Sequence, residues 1–341
     1  MEWLILLGGL TVLLVGGDAL VRGATSLART LGVSSMVIGM TVVAFGTSAP
    51  ELGVNVAAAW SGRTAITFGN VVGSNIANIG LILGLTVMVR TLSIHRSIIT
   101  REIPVMLAAT GGMILLGSDW LFQRTPDVID SLDGIGLLVG FALFLVLTVR
   151  SAVRDRRDDV FIQEAKEEEE QHRPIRWKLA SALTVLGLAG VLLGSHWTVK
   201  GATQVAQTLG MSETVIGLTI VAIGTSLPEL TTSLFAALKG HADLSIGNIV
   251  GSNVFNLLFV LGVSSSIHPV AVTAMGRVDL LVLGVFSLIL LPLAYSQRKL
   301  GRAEGLLLLL GYVAYMVWRA VNDSDTSYEI YEEIRITSRW I

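Results

Sequence analysis

The sequence contains no cysteine and few charged residues for its length. Without cysteine, the 341-residue chain forms no disulfide, no thiolate metal site and no cysteine nucleophile. Charged residues make up 15% of the chain, whereas soluble domains carry about 25%. The formal net charge is −2 and no dense basic patch occurs, so the sequence predicts no nucleic-acid partner. This scarcity of charge argues against a soluble globular domain.

Apolar residues, by contrast, make up 52% of the chain and cluster in long segments. A helix that crosses a bilayer needs about 20 predominantly apolar residues. We therefore predict an all-α integral membrane protein with ten transmembrane helices, surrounded by lipid, with no soluble domain and no obligatory protein partner. The ten segments are 3–21, 36–60, 67–89, 103–118, 132–150, 178–198, 212–238, 244–267, 278–296 and 303–321.

An internal repeat of polar motifs lies within these apolar segments. GTSAPEL at residues 46–52 returns as GTSLPEL at 224–230, which is 178 positions later. GNVVGSNIAN at 69–78 returns at the same offset as GNIVGSNVFN at 247–256. The alignment runs without a gap from 21–84 onto 199–262, and about half of the paired positions are identical. Because polar residues recur, helix packing alone is a poor explanation for the repeat.

The repeat divides the chain into two halves of five spans each. Because five is odd, the second half enters the membrane from the opposite side, which predicts two inverted five-helix repeats, an arrangement found in many secondary transporters. The first repeat covers 1–150, with ion-binding motifs at 44–51 and 69–78. The second covers 178–321, with motifs at 222–229 and 247–256. Positive charge in the odd-numbered connections predicts a cytoplasmic linker at 151–177 and both termini outside. The tail, 322–341, is polar.

A glutamate beside a helix-breaking proline lies deep in the second span. Glu51 is about 22 Å from the start of its span at 1.5 Å per residue. Pro50 has no N–H, so the helix should break and free a backbone carbonyl. Broken helices are therefore predicted for spans 2 and 7. The carboxylate then lies within about one turn of the Thr47 and Ser48 hydroxyls. The seventh span offers the equivalent residues Thr225, Ser226 and Glu229.

The second repeated string adds amide and hydroxyl groups near the middle of the membrane. Ser74 and Asn78 are four residues apart and share a helix face, as do Ser252 and Asn256. Serines in such positions can instead bond to the carbonyl four residues earlier. Other asparagines of the strings either support the ligands or join helices by hydrogen bonds, and we favour the second role. They are Asn70, Asn75, Asn248 and Asn253.

The candidate ligands are oxygen atoms only. Such sets suit Ca²⁺, Mg²⁺, Mn²⁺ and Na⁺ rather than Zn²⁺ or Cu⁺. Two glutamates balance one divalent ion or two monovalent ions, which gives a charge basis for exchange. The sequence has no His-Glu-x-x-His string and no Ser/His pair at depth, so an enzyme is not predicted.

With these motifs in view, the chain resembles the sodium/calcium exchanger branch of the cation/Ca²⁺ antiporter superfamily, and specifically its prokaryotic members with a short central loop. The resemblance implies that Glu51 and Glu229 are the central Ca²⁺ carboxylates, joined by Thr47 and Thr225. Asn78 and Asn256 would complete that central layer. The flanking Na⁺ ligands would be Ser48, Ser226, Ser74, Ser252 and the carbonyls of Ala44 and Ala222.

The resemblance also implies a function. It implies a secondary active antiporter of a prokaryotic inner membrane that exchanges Na⁺ for Ca²⁺ by alternating access at overlapping midplane sites, with no cofactor and with the first and sixth spans moving. Some members, including K⁺-dependent ones, carry aspartate at the position of Asn256, so asparagine argues against K⁺ co-transport. Exchange of H⁺ for Ca²⁺ or another divalent cation and a passive cation channel remain the alternatives.

Overall fold

The computed structural model describes residues 1–118, 127–155, 176–211 and 224–322, and most of them are helical. Ala222, most of the 151–177 linker and the tail from residue 323 lie outside the described residues. The helices are α1 (Glu2–Leu31), α2 (Ser35–Ile38), α3 (Ala44–Thr47), α4 (Ala49–Trp60), α5 (Thr64–Ala77), α6 (Gly84–Val89), α7 (Ile103–Leu116), α8 (Ser131–Asp155), α9 (Trp177–Thr208), α10 (Leu227–Leu238), α11 (Ala242–Val254), α12 (Leu261–Ile267), α13 (Ala274–Gln297) and α14 (Arg302–Asn322).

In the described ranges, four short π-helical segments interrupt or precede these helices. They are π1 (Gly39–Val43), π2 (Asn78–Leu83), π3 (Ile98–Glu102) and π4 (Phe255–Val260). Segments π2 and π4 join α5 to α6 and α11 to α12, so each of these helix pairs forms one continuous span of 26 residues. A π-helical turn contains one extra residue and shifts the side chains that follow, and such turns are frequent at functional sites.

Within the described ranges, eight helical segments are long and apolar enough to cross a membrane. The segment from α2 to α4, which bends at Ser48, would be a ninth. Of the tenth predicted span, 212–238, only residues from 224 onward are described. The prediction of a helical membrane protein is therefore confirmed at the level of eight or nine spans.

Helices α1 and α9, which correspond to the first and sixth predicted spans, are longer than the apolar segments predicted. Helix α1 has 30 residues and α9 has 32, although the predicted spans were 3–21 and 178–198. The apolar segments stop near Arg22 and Lys200, but both helices continue because the residues that follow still bury one face. Helix α1 ends only where Gly32 adopts a left-handed conformation with φ of 63°.

The described residues are mostly helical, as predicted, and they also contain four two-residue strands that the sequence did not predict. Strand β1 (Leu92–Ser93) pairs antiparallel with β4 (Lys299–Leu300), and β2 (Val128–Ile129) pairs antiparallel with β3 (Val270–Ala271). All four lie in connections between helices, where extended backbone must find partners for its N–H and C=O groups. Segments of two residues carry no periodicity that a sequence could reveal.

Two compact units divide the described chain, and they cut across the predicted repeats. The described residues within Met1–Pro50 and Leu145–Ser252 form the first unit, and those within Glu51–Phe144 and Asn253–Ile341 form the second. Each unit therefore contains residues of both sequence halves, and the motifs of one half can meet those of the other inside a single unit.

A glycine seam between α1 and α9 organises the first unit. Gly9, Gly16 and Gly23 recur every seven residues on α1, and the glycines on α9 at 187, 194 and 201 follow the same spacing. A Cβ atom at Gly9 would lie 2.5 Å from the backbone N of Thr198, and one at Gly23 would lie 2.4 Å from that of Thr184. The two helices therefore run antiparallel in close backbone contact, which only glycine permits.

Helices α10 and α11, the α2–π1–α3 segment and the end of α8 also belong to this unit. A Cβ at Gly251 of α11 would lie 2.5 Å from Cα of Met40, so α11 also packs closely on π1. An ion pair joins Arg22 to Asp18 at 2.8 Å, and Lys239, at the end of α10, contacts the same carboxylate. The buried apolar cluster of the unit contains Leu13, Leu20, Val21, Ala24, Ala28, Ile38, Val43, Val191, Ala236 and Leu244.

In the second unit, α5, π2 and α6 are packed by α13 and α14. A Cβ at Gly84 would lie 3.0 Å from the carbonyl oxygen of Gly305, so α6 and α14 also meet through glycine. Between α7 and α13, the hydroxyls of Thr110 and Ser287 lie 3.4 Å apart. This frame holds the 69–78 copy of the second repeated string, on α5 and π2.

Candidate functional site

Both copies of the Gly-Thr-Ser-x-Pro-Glu string break the helical conformation at their serine. Helix α3 ends at Thr47, Ser48 has φ −85° and ψ 8°, and α4 begins at Ala49. Ser226 has nearly the same conformation, φ −90° and ψ 5°, immediately before α10. Each glutamate then lies in the first turn of the next helix, where the positive end of the helix dipole favours a negative charge. The predicted break in span 2 is confirmed, and the part of span 7 before residue 224 lies outside the described residues.

Glu229 is the centre of a polar cluster inside the first unit. Ser48 donates its hydroxyl to Oε1 of Glu229 at 3.0 Å, so serine from the first copy meets glutamate from the second. Glu229 is 1% exposed, and Oε2 has no hydrogen-bond partner within the described part of the chain. A buried ionised carboxylate with one oxygen left without a hydrogen bond is costly, and a bound cation removes that cost.

Thr47 and Asn248 form the second part of this cluster. The Thr47 hydroxyl is 3.3 Å from Oδ1 of Asn248 and 3.4 Å from the carbonyl oxygen of Ala44, so its hydrogen is shared between two acceptors. Asn248 donates to Oγ of Ser233 at 3.0 Å and to the carbonyl of Glu229 at 3.5 Å. Its amide is thus fully used within the protein, in agreement with the favoured role of joining helices, while the Thr47 oxygen keeps lone pairs for a cation.

The remaining predicted ligands of the first unit are also buried or partly buried. Ser226 is buried and Thr225 is partly buried. Ser252 is fully buried, and its hydroxyl has no hydrogen-bond partner among the described residues, so it does not bond to the carbonyl four residues earlier. The Ala44 carbonyl also accepts the N–H of Ser48 at 3.0 Å, which means that it serves two donors already.

Glu51 lies in the second unit and is 2% exposed. Asn55, one turn further along α4, donates to the Glu51 carbonyl at 2.7 Å and to Oδ1 of Asn70 at 2.9 Å. The other repeat contains the equivalent pair, since Asn55 corresponds to Ser233 and Asn70 to Asn248, but there Asn248 is the donor. Neither Asn55 nor Ser233 was singled out from the sequence, although the repeat pairs one polar residue with another there. Ser74, also in this unit, is buried.

Four asparagines form an amide cluster in the second unit. It consists of Asn75, Asn78, Asn253 and Asn256. Asn78 donates from Nδ2 to Oδ1 of Asn253 at 2.9 Å, and Asn256 donates from Nδ2 to Oδ1 of Asn75 at 3.4 Å. Asn78 and Asn256 are each 1% exposed and lie in π2 and π4. Their Oδ1 atoms have no hydrogen-bond partner in the described ranges.

The structure thus brings the predicted ligands together in two groups. Thr47, Ser48 and Glu229 meet in the first unit, and Asn78 and Asn256 are held by equivalent partners in the second. The chemistry of both groups is that of hard oxygen donors: carboxylate, hydroxyl, carbonyl and amide oxygen.

Comparison with known families is decisive. The family model described as sodium/calcium exchanger protein matches residues 1–150 and 179–321. The chain belongs to the sodium/calcium exchanger family. This family consists of transporters rather than enzymes, and the transported ions are its substrates.

Individual relatives of this exchanger family are similar over nearly their whole length. CaxA of Alkalimonas amylolytica, named as an antiporter, is 42% identical over 311 residues, which are 90% of this chain and 95% of that protein. The inner membrane protein YrbG of Escherichia coli is 36% identical, with 92% and 94% covered. The solved structure of the sodium-calcium exchanger NCX_Mj superimposes with a TM-score of 0.80 at 32% identity, covering 93% of this chain and 98% of that one.

Proposed function

We propose that this membrane protein is a secondary active antiporter that exchanges Na⁺ for Ca²⁺, with Glu51 and Glu229 as the carboxylates that bind the transported ions. Family membership and the similarity to a sodium-calcium exchanger support the reaction. One observation supports the residues most directly: Glu229 is buried at a helix break, with one oxygen bonded to Ser48 and the other without a partner among the described residues.

The proposed ligand set follows the repeat. Two carboxylates neutralise one Ca²⁺ or two Na⁺, so either cargo satisfies the same buried charge. The empty, doubly charged form is then unfavourable within the bilayer. This penalty couples the two fluxes, because the protein reorients only when it is loaded. The complete proposed set is Glu51, Glu229, Thr47, Thr225, Ser48, Ser226, Asn78, Asn256, Ser74, Ser252 and the carbonyls of Ala44 and Ala222.

We further propose ten spans in two inverted repeats, within a prokaryotic inner membrane and with both termini outside. The antiparallel course of α1 and α9 supports the inversion, since these helices occupy equivalent places at the offset of 178. The name of the relative YrbG supports the location.

Alternating access is proposed to use α1 and α9 as one moving pair. The glycine seam supports this assignment, because backbone contact along both helices fixes their register and makes them one rigid element. Sliding of this pair would open the ion sites to one side of the membrane at a time.

The experiment that tests the reaction is Ca²⁺ uptake into proteoliposomes with Na⁺, K⁺ and H⁺ gradients imposed separately. We expect an outward Na⁺ gradient to drive uptake and a K⁺ gradient to have no effect. Uptake driven by a pH gradient without Na⁺ would replace the proposal by H⁺/Ca²⁺ exchange. Conductance that is independent of any countertransported ion would indicate a channel.

A further inference from the structure

In the amide cluster, each candidate ligand is held by an asparagine of the opposite repeat. Asn78, from the first half, donates to Asn253 of the second half. Asn256, from the second half, donates to Asn75 of the first half. The two hydrogen-bonded pairs are equivalent in the repeat, because residues 75 and 253, like residues 78 and 256, are related by the offset of 178. All four residues belong to the second unit.

The orientation of the Asn75 amide is fixed by a backbone acceptor. Its Nδ2 donates to the carbonyl of Asn253 at 3.4 Å. A carbonyl accepts hydrogen bonds and cannot donate them, so the NH₂ group of Asn75 must face it. The Oδ1 atom of Asn75 therefore faces Asn256, and Asn256 must present its own NH₂ group in return.

The orientation of the Asn253 amide is fixed by a different acceptor. Its Nδ2 lies 3.5 Å from Sδ of Met106 on α7. A thioether sulfur is a weak acceptor and has no hydrogen to donate. The NH₂ group of Asn253 consequently faces Met106, its Oδ1 faces Asn78, and Asn78 must donate.

Both ligand amides are therefore oriented in the same sense. The NH₂ groups of Asn78 and Asn256 each donate to an asparagine oxygen, and both Oδ1 atoms are buried without a partner in the described part of the chain. A cation coordinates the amide oxygen, whereas a flipped amide would offer it two N–H hydrogens of the wrong polarity.

We propose that Asn75 and Asn253, with Met106 behind Asn253, are positioning residues that hold the amide oxygens of Asn256 and Asn78 toward the transported cation. This proposal rests on the proposed function, in which Asn78 and Asn256 are ligands. It assigns a specific task to asparagines whose sequence pattern indicated hydrogen bonds between helices.

The test replaces the ligand asparagine by aspartate. Both oxygens of a carboxylate can coordinate a cation, so an aspartate ligand does not depend on a neighbour that fixes its orientation. Asn75→Ala should raise the Ca²⁺ concentration for half-maximal Na⁺-driven uptake about tenfold, as expected for the loss of one orienting hydrogen bond, with a smaller change in maximal rate. The same substitution in an Asn256→Asp background should not raise the half-saturation concentration, because a carboxylate needs no orienting and loses only an unfavourable contact with the Asn75 oxygen.

The partner pattern makes the test specific. Asn253→Ala should raise the half-saturation concentration in an Asn256→Asp background but not in an Asn78→Asp background. Asn75→Ala should raise it in an Asn78→Asp background but not in an Asn256→Asp background. Met106→Leu keeps the side-chain volume and should fold. Because the lost sulfur is only a weak acceptor, Met106→Leu should raise the half-saturation concentration about two- to threefold. Of the two aspartate backgrounds, only Asn78→Asp should cancel that rise. Ser264→Ala, which removes a buried hydrogen bond to the Val260 carbonyl elsewhere in this unit, should act equally in every background.

If each substitution raised the half-saturation concentration by the same factor in every background, the positioning role would be overturned. These residues would then be structural contacts only. This outcome is distinguishable from failure of the proposed function. The proposed function fails if Glu51→Gln and Glu229→Gln retain exchange, whereas the positioning proposal fails when those variants are inactive and the asparagine effects show no partner specificity. If the alanine variants do not fold, the Met106→Leu series alone decides between the outcomes.

Discussion

Ser48 donates a hydrogen bond of 3.0 Å to Glu229, and the two residues come from different copies of the same seven-residue string. The bond joins the end of α3 to the first turn of α10, so the two helix breaks meet through polar side chains. It also leaves one oxygen of Glu229 without a partner among the described residues. A cation at this place would satisfy the carboxylate and the hydroxyl together.

Replacement of Ser48 should weaken the apparent affinity for Na⁺ more than that for Ca²⁺. In Ser48→Ala, we expect the Na⁺ concentration for half-maximal exchange to rise about five- to tenfold, because a hydroxyl ligand is lost. Half-saturation by Ca²⁺ should change less, since Glu229 without its donor still requires a cation. Ion-dependent uptake into proteoliposomes measures both values. Ser61→Ala is the matched control, because Ser61 is exposed and its hydroxyl bonds to the carbonyls of Ala57 and Ala58 in the preceding turn. Equal shifts for both ions would contradict the assignment.

Asn248 should matter more for stability than for ion affinity. Asn248→Ala removes one hydrogen bond each from Thr47, Ser233 and the Glu229 carbonyl, and each lost buried hydrogen bond costs about 1 kcal/mol or more. We expect a clear fall in the melting temperature in detergent, with a smaller change in half-saturation for either ion. Asn322→Ala, which removes an exposed bond to Trp318, should leave the melting temperature nearly unchanged. A large affinity loss without destabilisation would make Asn248 a ligand instead.

Two neighbouring glycines, Gly8 and Gly9, provide a test of the close packing of α1 on α9. A Cβ at Gly9 would lie 2.5 Å from the backbone N of Thr198, whereas no described atom lies within 4 Å of one at Gly8. Gly9→Ala should therefore destabilise the protein by about 1–3 kcal/mol and slow exchange. Gly8→Ala should be neutral or slightly stabilising, because alanine is the better helix former. Thermal unfolding and transport are measured for both variants, and equal behaviour would contradict the close packing of α1 on α9.

Much of the membrane architecture could be predicted because hydrophobicity and proline act locally. The break at Ser48 follows from Pro50, and the recurrence of Glu51 as Glu229 identified the polar residues of both strings. The seven-residue glycine spacing was present in the sequence as well, but its meaning depends on which helix packs against it. That information is tertiary and becomes visible only when α1 and α9 are seen together.

Other features of the site could not be read from the sequence. The π-helical turns at Asn78 and Asn256 carry no compositional signal, because the extra residue is stabilised by packing. The exchange of partners between Asn75 and Asn256 depends on how the two halves interleave within one compact unit. Repetition of the string GSN showed that these asparagines recur, but not which of their amide atoms faces the ion.

The most direct test of the account measures Na⁺-gradient-driven Ca²⁺ uptake by Glu51→Gln and Glu229→Gln in proteoliposomes, with equal amounts of folded protein. Glutamine keeps the shape of each side chain and removes its charge. We expect each variant to lose at least about 99% of the wild-type rate, since one remaining carboxylate cannot balance a divalent ion in a low-dielectric site. Near-wild-type exchange by either variant would contradict the central claim that these two glutamates bind the transported ions.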